Sequence, residues 1–306
     1  MARQRKGLPI NGWLVLDKPQ GMTSTAAVTR VKRLYEAAKA GHAGTLDPLA
    51  TGVLPIALGE ATKTVPFVME GSKAYRFTVR FGIETDTDDA EGTIIATHDK
   101  RPTRAEVESA LPRFTGEIEQ VPPRFSAIKV EGARAYDLAR DAEDFELAAR
   151  PVVIDRLALV DHPDADHAVL EAECGKGTYV RALARDLGRA LGTHGHVAAL
   201  RRTRVGAFGE ERAVTFDKLE ALTEAGREVL AEALLPVEAA LGELPALALS
   251  ASDAARLRQG QAVILRGRDA PIVTGPVYAT ARGALVAICD AEQGQLKPRR
   301  IFNMTQ

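Results

Sequence analysis

Cysteine is nearly absent from this chain: its 306 residues hold two, Cys174 and Cys289, far apart. Two distant cysteines supply neither a zinc-ligand spacing nor a disulfide framework, so the composition points to a reducing, cytoplasmic setting. Aromatic residues are also few, at 5% with one tryptophan, and the formal net charge is only −1. So balanced a chain is ill-suited to coating nucleic acid indiscriminately. Long apolar runs are missing. No stretch has the length of a membrane span, and Trp13 to Leu16, behind a basic start, is too short for a signal peptide.

Cofactor signatures are lacking too. "ECGKGTYV" has no third glycine for a dinucleotide turn, and no GxxxxGK[ST] exists to cradle a nucleotide triphosphate. "DTDDAEG" places Glu91 where a calcium-binding loop needs its glycine. His194 and His196 in "THGHV" have no acid or thiol partners nearby, so no metal site is expected. "FSAI" is not a nucleophile elbow. The chemistry left open is cofactor-free.

What is present is the composition of a globular protein of about two domains, with 45% hydrophobic and 26% charged residues. A strand is expected at 11–17, then a helix at 24–39 with Ser24 as its cap and Val28, Val31 and Leu34 inward. "VLPIALG" reads as a strand and "EATKTVPFVME" as a short helix interrupted at Pro66. "AYRFTVRF" alternates, with Tyr75, Phe77, Val79 and Phe81 on one face. Thr103 and Glu106 form a capping box before Val107, Leu111 and Phe114. A short strand at 126–130, a turn at Glu131-Gly132 and a helical piece follow. "VVIDRLALV", "AVLEAECG" and "RRTRVGAF" read as strands, and "TYVRALARDLGRAL" as a helix with Val180, Leu183, Leu187 and Leu191 inward.

Strands and helices mix without a βαβ rhythm. The expected class is α+β, with a mixed, largely antiparallel central sheet flanked by helices. A boundary falls near "LGELPALALS", so residues 1–243 form one domain and 244–306 a small β-barrel-like module. Basic clusters at 3–6, 30–33, 201–204 and 297–300, and acidic ones at 84–91 and 141–144, read as solvated surface. Basic clusters gathered on one face would instead track phosphates.

One carboxylate stands out. In "GHAGTLDPLATGVLP" (41–55), Asp47 sits among glycines and prolines, an ordered loop in which an aspartate ordinarily caps a turn.

Four stretches in order and spacing, "GWLVLDKPQGMTS" (12–24), "GHAGTLDPLATGVLPIALGEATK" (41–63), "KAYRF" (73–77) and "CGKGTYVRALARDLG" (174–188), resemble the TruB family. With "PPRFSAIKVEGARAYDLAR" (122–140), the resemblance covers most of residues 12–208, and the tail resembles, more loosely, a PUA domain. Ala43 departs from the threonine frequent there. The resemblance implies a bacterial tRNA pseudouridine synthase acting on uridine 55 of the T-loop. Such an isomerisation breaks the N1–C1′ bond and joins C5 to C1′ with no cofactor, in keeping with the missing motifs.

It also implies roles. Asp47 is the essential carboxylate, as nucleophile or base, and Arg181 the cation that keeps it charged in a dry cleft. Arg185 and Arg189 are read as a solvated or phosphate-facing stripe. Tyr75, locally a core residue, stacks on the uracil with its hydroxyl near C5. Tyr179 and Leu200 line the pocket, and Lys18 supports it from the "LDKP" turn. His42 fills the gap left by a flipped base. The segment 122–150 closes over RNA, and the PUA-like tail touches phosphates through "KPRR". The partner is the T-arm of tRNA, with no membrane, no required protein partner and a monomeric state. The rival readings are a guide-RNA-dependent or ribosomal-RNA synthase, and an RNA-folding chaperone whose active site is dispensable.

Overall fold

A computed structural model of the chain describes residues 7–126, 128–130, 133–134, 145, 147–265 and 271–304. Seven strands form the spine of a large sheet, in spatial order Gly12–Lys18, Thr51–Leu58, Gly195–Val205, Lys73–Phe81, His167–Cys174, Arg150–Asp161 and Gly116–Gln120. Neighbours run antiparallel except Thr51–Leu58 and Gly195–Val205, which pair in parallel through Arg201 with Thr51 and Arg202 with Gly52. The sheet is thus mixed and largely antiparallel, as its sequence alternation implies. Along Lys73–Phe81, Phe77, Val79 and Phe81 are buried while Arg76 and Arg80 face water.

One face of the sheet is covered by the helices Ser24–Leu34, Arg104–Ala110 and Val180–Ala190, with Leu14, Leu54, Phe77, Val79, Leu183 and Leu187 in the shared core. The Val180–Ala190 helix lies close on its strand. A Cβ on Gly188 would fall 2.5 Å from the Gly195 nitrogen, so only glycine permits the approach. The parallel strand pair has the same requirement. Gly52 has φ +96°, and a Cβ there would stand 2.3 Å from the Arg202 carbonyl oxygen.

Local boundaries differ from expectation for identifiable reasons. The first helix ends at Leu34, not at 39, because Glu36 turns left-handed and Leu8 bridges to Ala37. Its cap is Thr23, which accepts from the Ala26 N–H; Ser24 is buried and bonds the Leu46 backbone instead. Pro66 opens the Val65–Glu70 helix and does not interrupt one. The strand expected from 201 begins at Gly195, and that expected at 126–130 is reduced to Lys129–Val130, paired with Ala133–Arg134. The Glu131-Gly132 turn, the helical piece after it and the acidic cluster at 141–144 lie outside the described residues.

The C-terminal strands follow the order Ala246–Ala248, Gly275–Ala281, Ala284–Glu292, Gln295–Ile301 and Val263–Ile264. Among the described residues the first and last do not pair, so this is an open five-stranded sheet where a barrel was expected. The helix Ala251–Arg258 covers its core through Ala254 and Leu257, closing with side chains what strands leave open. Leu285, Ile288 and Phe302 also join Trp13, Val53 and Ala57 in a common core, tying this sheet to the large one.

Candidate active site

Asp47 lies in the loop between the strands Ala40–His42 and Thr51–Leu58, and its backbone is held from several sides. Ser24 bonds both the N–H and the carbonyl of Leu46, at 2.8 and 3.0 Å. Lys18, fully buried, donates to the carbonyls of Pro19, Met22 and Pro48 at 3.0, 2.7 and 3.3 Å. Burial lowers the Lys18 ammonium to about 8, partly offset by the Asp47 charge. Arg202, also fully buried, donates to the carbonyls of Gly44, Thr45 and Val53 at 3.0, 3.2 and 2.8 Å. Backbone carbonyls that loops normally leave to water are here taken up by two cations.

Arg181 completes the arrangement. Its Nε stands 2.9 Å from Asp47 Oδ2, its Nη1 donates to the Thr87 carbonyl at 2.9 Å, and its Nη2 to that of Phe125 at 2.9 Å. Asp89 Oδ2 lies 3.6 Å from Nη1. Because Arg181 is in the first turn of its helix, where the dipole disfavours a cation, the carboxylates compensate that placement. The Asp47 side chain keeps 37% exposure, opening onto a cavity of about 530 Å³. Asp47, Tyr75, Tyr179, Arg181, Leu200 and Arg202 all line it.

Tyr75 faces Arg202 across paired strands, within reach of its charge. Burial raises the Tyr75 phenol, while the Arg202 guanidinium pulls it back. Burial likewise raises Tyr179, whose backbone is clamped by Gln120 at 2.8 and 3.1 Å. Two residues expected at the site stand outside the cavity wall. Lys18 lies beneath the loop, and His42 ends its strand, its Nδ1 buried without a hydrogen-bond partner among the described residues. Burial lowers the His42 imidazole.

Two expectations are overturned. Arg185 is not a solvated stripe residue: it is buried and bonded to Asp88 and Asp186, whereas Arg189 is exposed, as expected, and pairs with Glu84. The acidic cluster is not all surface either, since Glu84, Asp88 and Asp89 are buried, facing Arg189, Arg185 and Arg181 in turn. The basic run at 201–204 gathers no free cations on one face. Arg201 bonds Asp17 and Glu210, Arg202 is internal, and Arg204 bonds Glu173 and Ser72. Residues 127, 131–132, 135–144 and 146 of the segment expected to close over RNA lie outside the described residues, while Phe125 and Ser126 at its root line the cavity. His196 bonds the Ile83 carbonyl at 2.9 Å, and no metal-holding cluster occurs among the described residues. Nor is any described helix long and apolar enough to cross a membrane.

Residues 32–180 match a family model described as TruB family pseudouridylate synthase (N terminal domain), and 181–242 one described as tRNA pseudouridylate synthase B C-terminal domain. Over 314 residues the chain is 62% identical to tRNA pseudouridine synthase B of Bradyrhizobium diazoefficiens, covering 99% of this chain and 91% of that protein. The chain belongs to the TruB family. A second TruB relative, tRNA pseudouridine synthase B of Caulobacter vibrioides, is 57% identical over 312 residues and is covered in full, as is this chain. The pseudouridine synthase fold is shared with a chain of a Cbf5-Nop10-Gar1 complex, at TM-score 0.74 and 26% identity over 95% of this chain and 84% of that one. A chain from an H/ACA RNP bound to a substrate RNA shares the fold at TM-score 0.74 and 24% identity, over 99% and 92% of the two chains.

Proposed function

We propose that this TruB-family enzyme isomerises uridine to pseudouridine at position 55, in the T-loop of tRNA, as a cytoplasmic monomer needing neither cofactor nor protein partner. One observation carries the reading: a carboxylate held 2.9 Å from a buried guanidinium at the edge of a cavity that a tyrosine also lines. Asp47 is the reacting carboxylate, as nucleophile or base, and Arg181 holds and aims it.

The target uridine must leave the T-loop stack, at a cost of a few kcal/mol. Stacking on Tyr75 returns about 1–3 kcal/mol. Tyr179 and Leu200 enclose the base, and His42 enters the vacated space in the RNA. Once N1–C1′ is broken and C5 is joined to C1′, the Tyr75 oxygen takes the C5 proton as the phenol passes its own to solvent, and N1 takes one from solvent. Lys18 acts from below by fixing Pro48. Residues 1–243 form the catalytic domain and 244–306 a PUA-like RNA-binding domain that contacts phosphates through 297–300.

Release of tritium from C5-labelled T-arm RNA tests this. Wild-type enzyme should turn over a bare stem-loop, and Asp47→Asn should bind it without releasing tritium. Activity in Asp47→Asn would refute the assignment, and a requirement for guide RNA or accessory proteins would favour the particle-bound reading.

A further inference from the structure

The Val180–Ala190 helix carries a second arginine of the same build one turn beyond the first. Arg181 joins three segments: the Asp47 loop, the acidic turn through Thr87 and Asp89, and the root of the following segment through Phe125. Arg185 grips two of these again. Its Nη1 meets Asp88 Oδ2 at 2.8 Å and its Nη2 donates to the Val121 carbonyl at 2.8 Å. Asp186 takes its Nε at 2.8 Å, so two carboxylates neutralise Arg185 and leave it no charge to offer a phosphate. Neither Arg185 nor Asp88 lines the cavity.

The backbone is shaped for this double grip. Asp88 has φ 62°, a left-handed conformation that few non-glycine residues adopt. That twist turns consecutive carboxylates toward one helix, Asp88 to Arg185 and Asp89 to Arg181. The turn is also sewn to the sheet, as Val197 donates to the Asp88 carbonyl and Ala90 to that of Val197, each at 3.0 Å. A buried ion pair is a weak source of stability, so its retention beside a reactive site calls for a geometric reason.

We propose that Asp88 and Arg185 are positioning residues for the Asp47 chemistry: their pair holds the 87–89 turn and the Val121 carbonyl in register, so that Arg181 presents its Nε to Asp47. This rests on the reading of Asp47 as the reacting carboxylate. Released from its outer anchor, the Thr87 carbonyl shifts, and Arg181, bonded to it, swings its guanidinium away from the carboxylate. Misplacement of such a group by about 1 Å costs on the order of 10²-fold in rate.

The test is steady-state tritium release from C5-labelled T-arm RNA by Asp88→Asn, Arg185→Gln and the neutral double variant, with Asp47→Asn alongside. The double variant removes both charges of the pair and leaves only Asp186 without a guanidinium. That carboxylate is part-exposed and reaches water, so the double variant reports on the pair with less unfolding penalty than either single variant. Each single variant should lose about 10²-fold in kcat with KM near wild type. The double variant should be no worse than the poorer single, as expected of coupled residues. Wild-type kcat in the double variant, a rise in KM with kcat intact, or additive losses would overturn the proposal. So would a double variant that melts below the assay temperature, because the pair would then hold the fold and not the site. An active Asp47→Asn would remove the reading underneath. An inactive Asp47→Asn beside a fully active double variant would remove this proposal alone.

Discussion

Tyr75 and Arg202 are cross-strand partners, and Arg202 is a fully buried guanidinium that bonds three backbone carbonyls and sets its charge beside the Tyr75 phenol. Those carbonyls hold Arg202 whether or not the phenol oxygen is present. Tyr75→Phe should therefore keep the fold and T-arm binding, while turnover falls by about 10²–10⁴-fold if the oxygen takes the C5 proton. Arg202→Met strands three carbonyls and should lower stability by about 2–4 kcal/mol, read by urea unfolding.

Lys18 acts through the Pro48 carbonyl next to Asp47. Lys18→Met should lower both the melting temperature and kcat. Burial sets the folded pKa at about 8, below the ordinary lysine value of 10.5, so the unfolded state binds more protons between these values. Wild-type stability relative to Lys18→Met should rise from pH 8 to about 10.5. A flat difference across that window would contradict the burial of a charged amine.

Asp88 titrates with the opposite sign. Burial raises its carboxyl from 3.8 to about 6, against the pull of Arg185, Arg181 and Arg189. The native state then holds the extra proton between these values. The associated stability is present below 3.8 and lost as pH rises through about 6. Unfolding free energies of wild type minus Asp88→Asn should decline across that interval in denaturant titrations at stepped pH.

Gly52 tests how the loop is docked. A Cβ there meets the Arg202 carbonyl at 2.3 Å, and the φ of +96° already disfavours a side chain. Gly52→Ala should cost about 2–4 kcal/mol and most of the turnover, because the strand pair that seats the Asp47 loop must separate. Calorimetry and tritium release on the same preparation would show both.

Much of the sheet was legible because its signals are local. Alternation along residues 73–81 predicts the buried face, and the Thr103–Glu106 capping box forms as read. The Asp47 loop stood out for the same reason, its glycines and prolines being contiguous. The Asp88–Arg185 pair had no such signal. Its partners lie 97 positions apart, and each belongs to a charge run that reads as surface. Arg202 was hidden likewise, one arginine among three in "RRTR" with nothing local to tell the buried one from its neighbours.

By itself, then, the sequence determined the family, the alternating strands and the loop that carries Asp47, all properties of neighbouring residues. Tertiary structure alone decided which charges are buried and whom they meet, and whether the C-terminal strands close. Desolvation and ion pairing depend on groups brought together from distant parts of the chain, and short-range spacing carries no record of them.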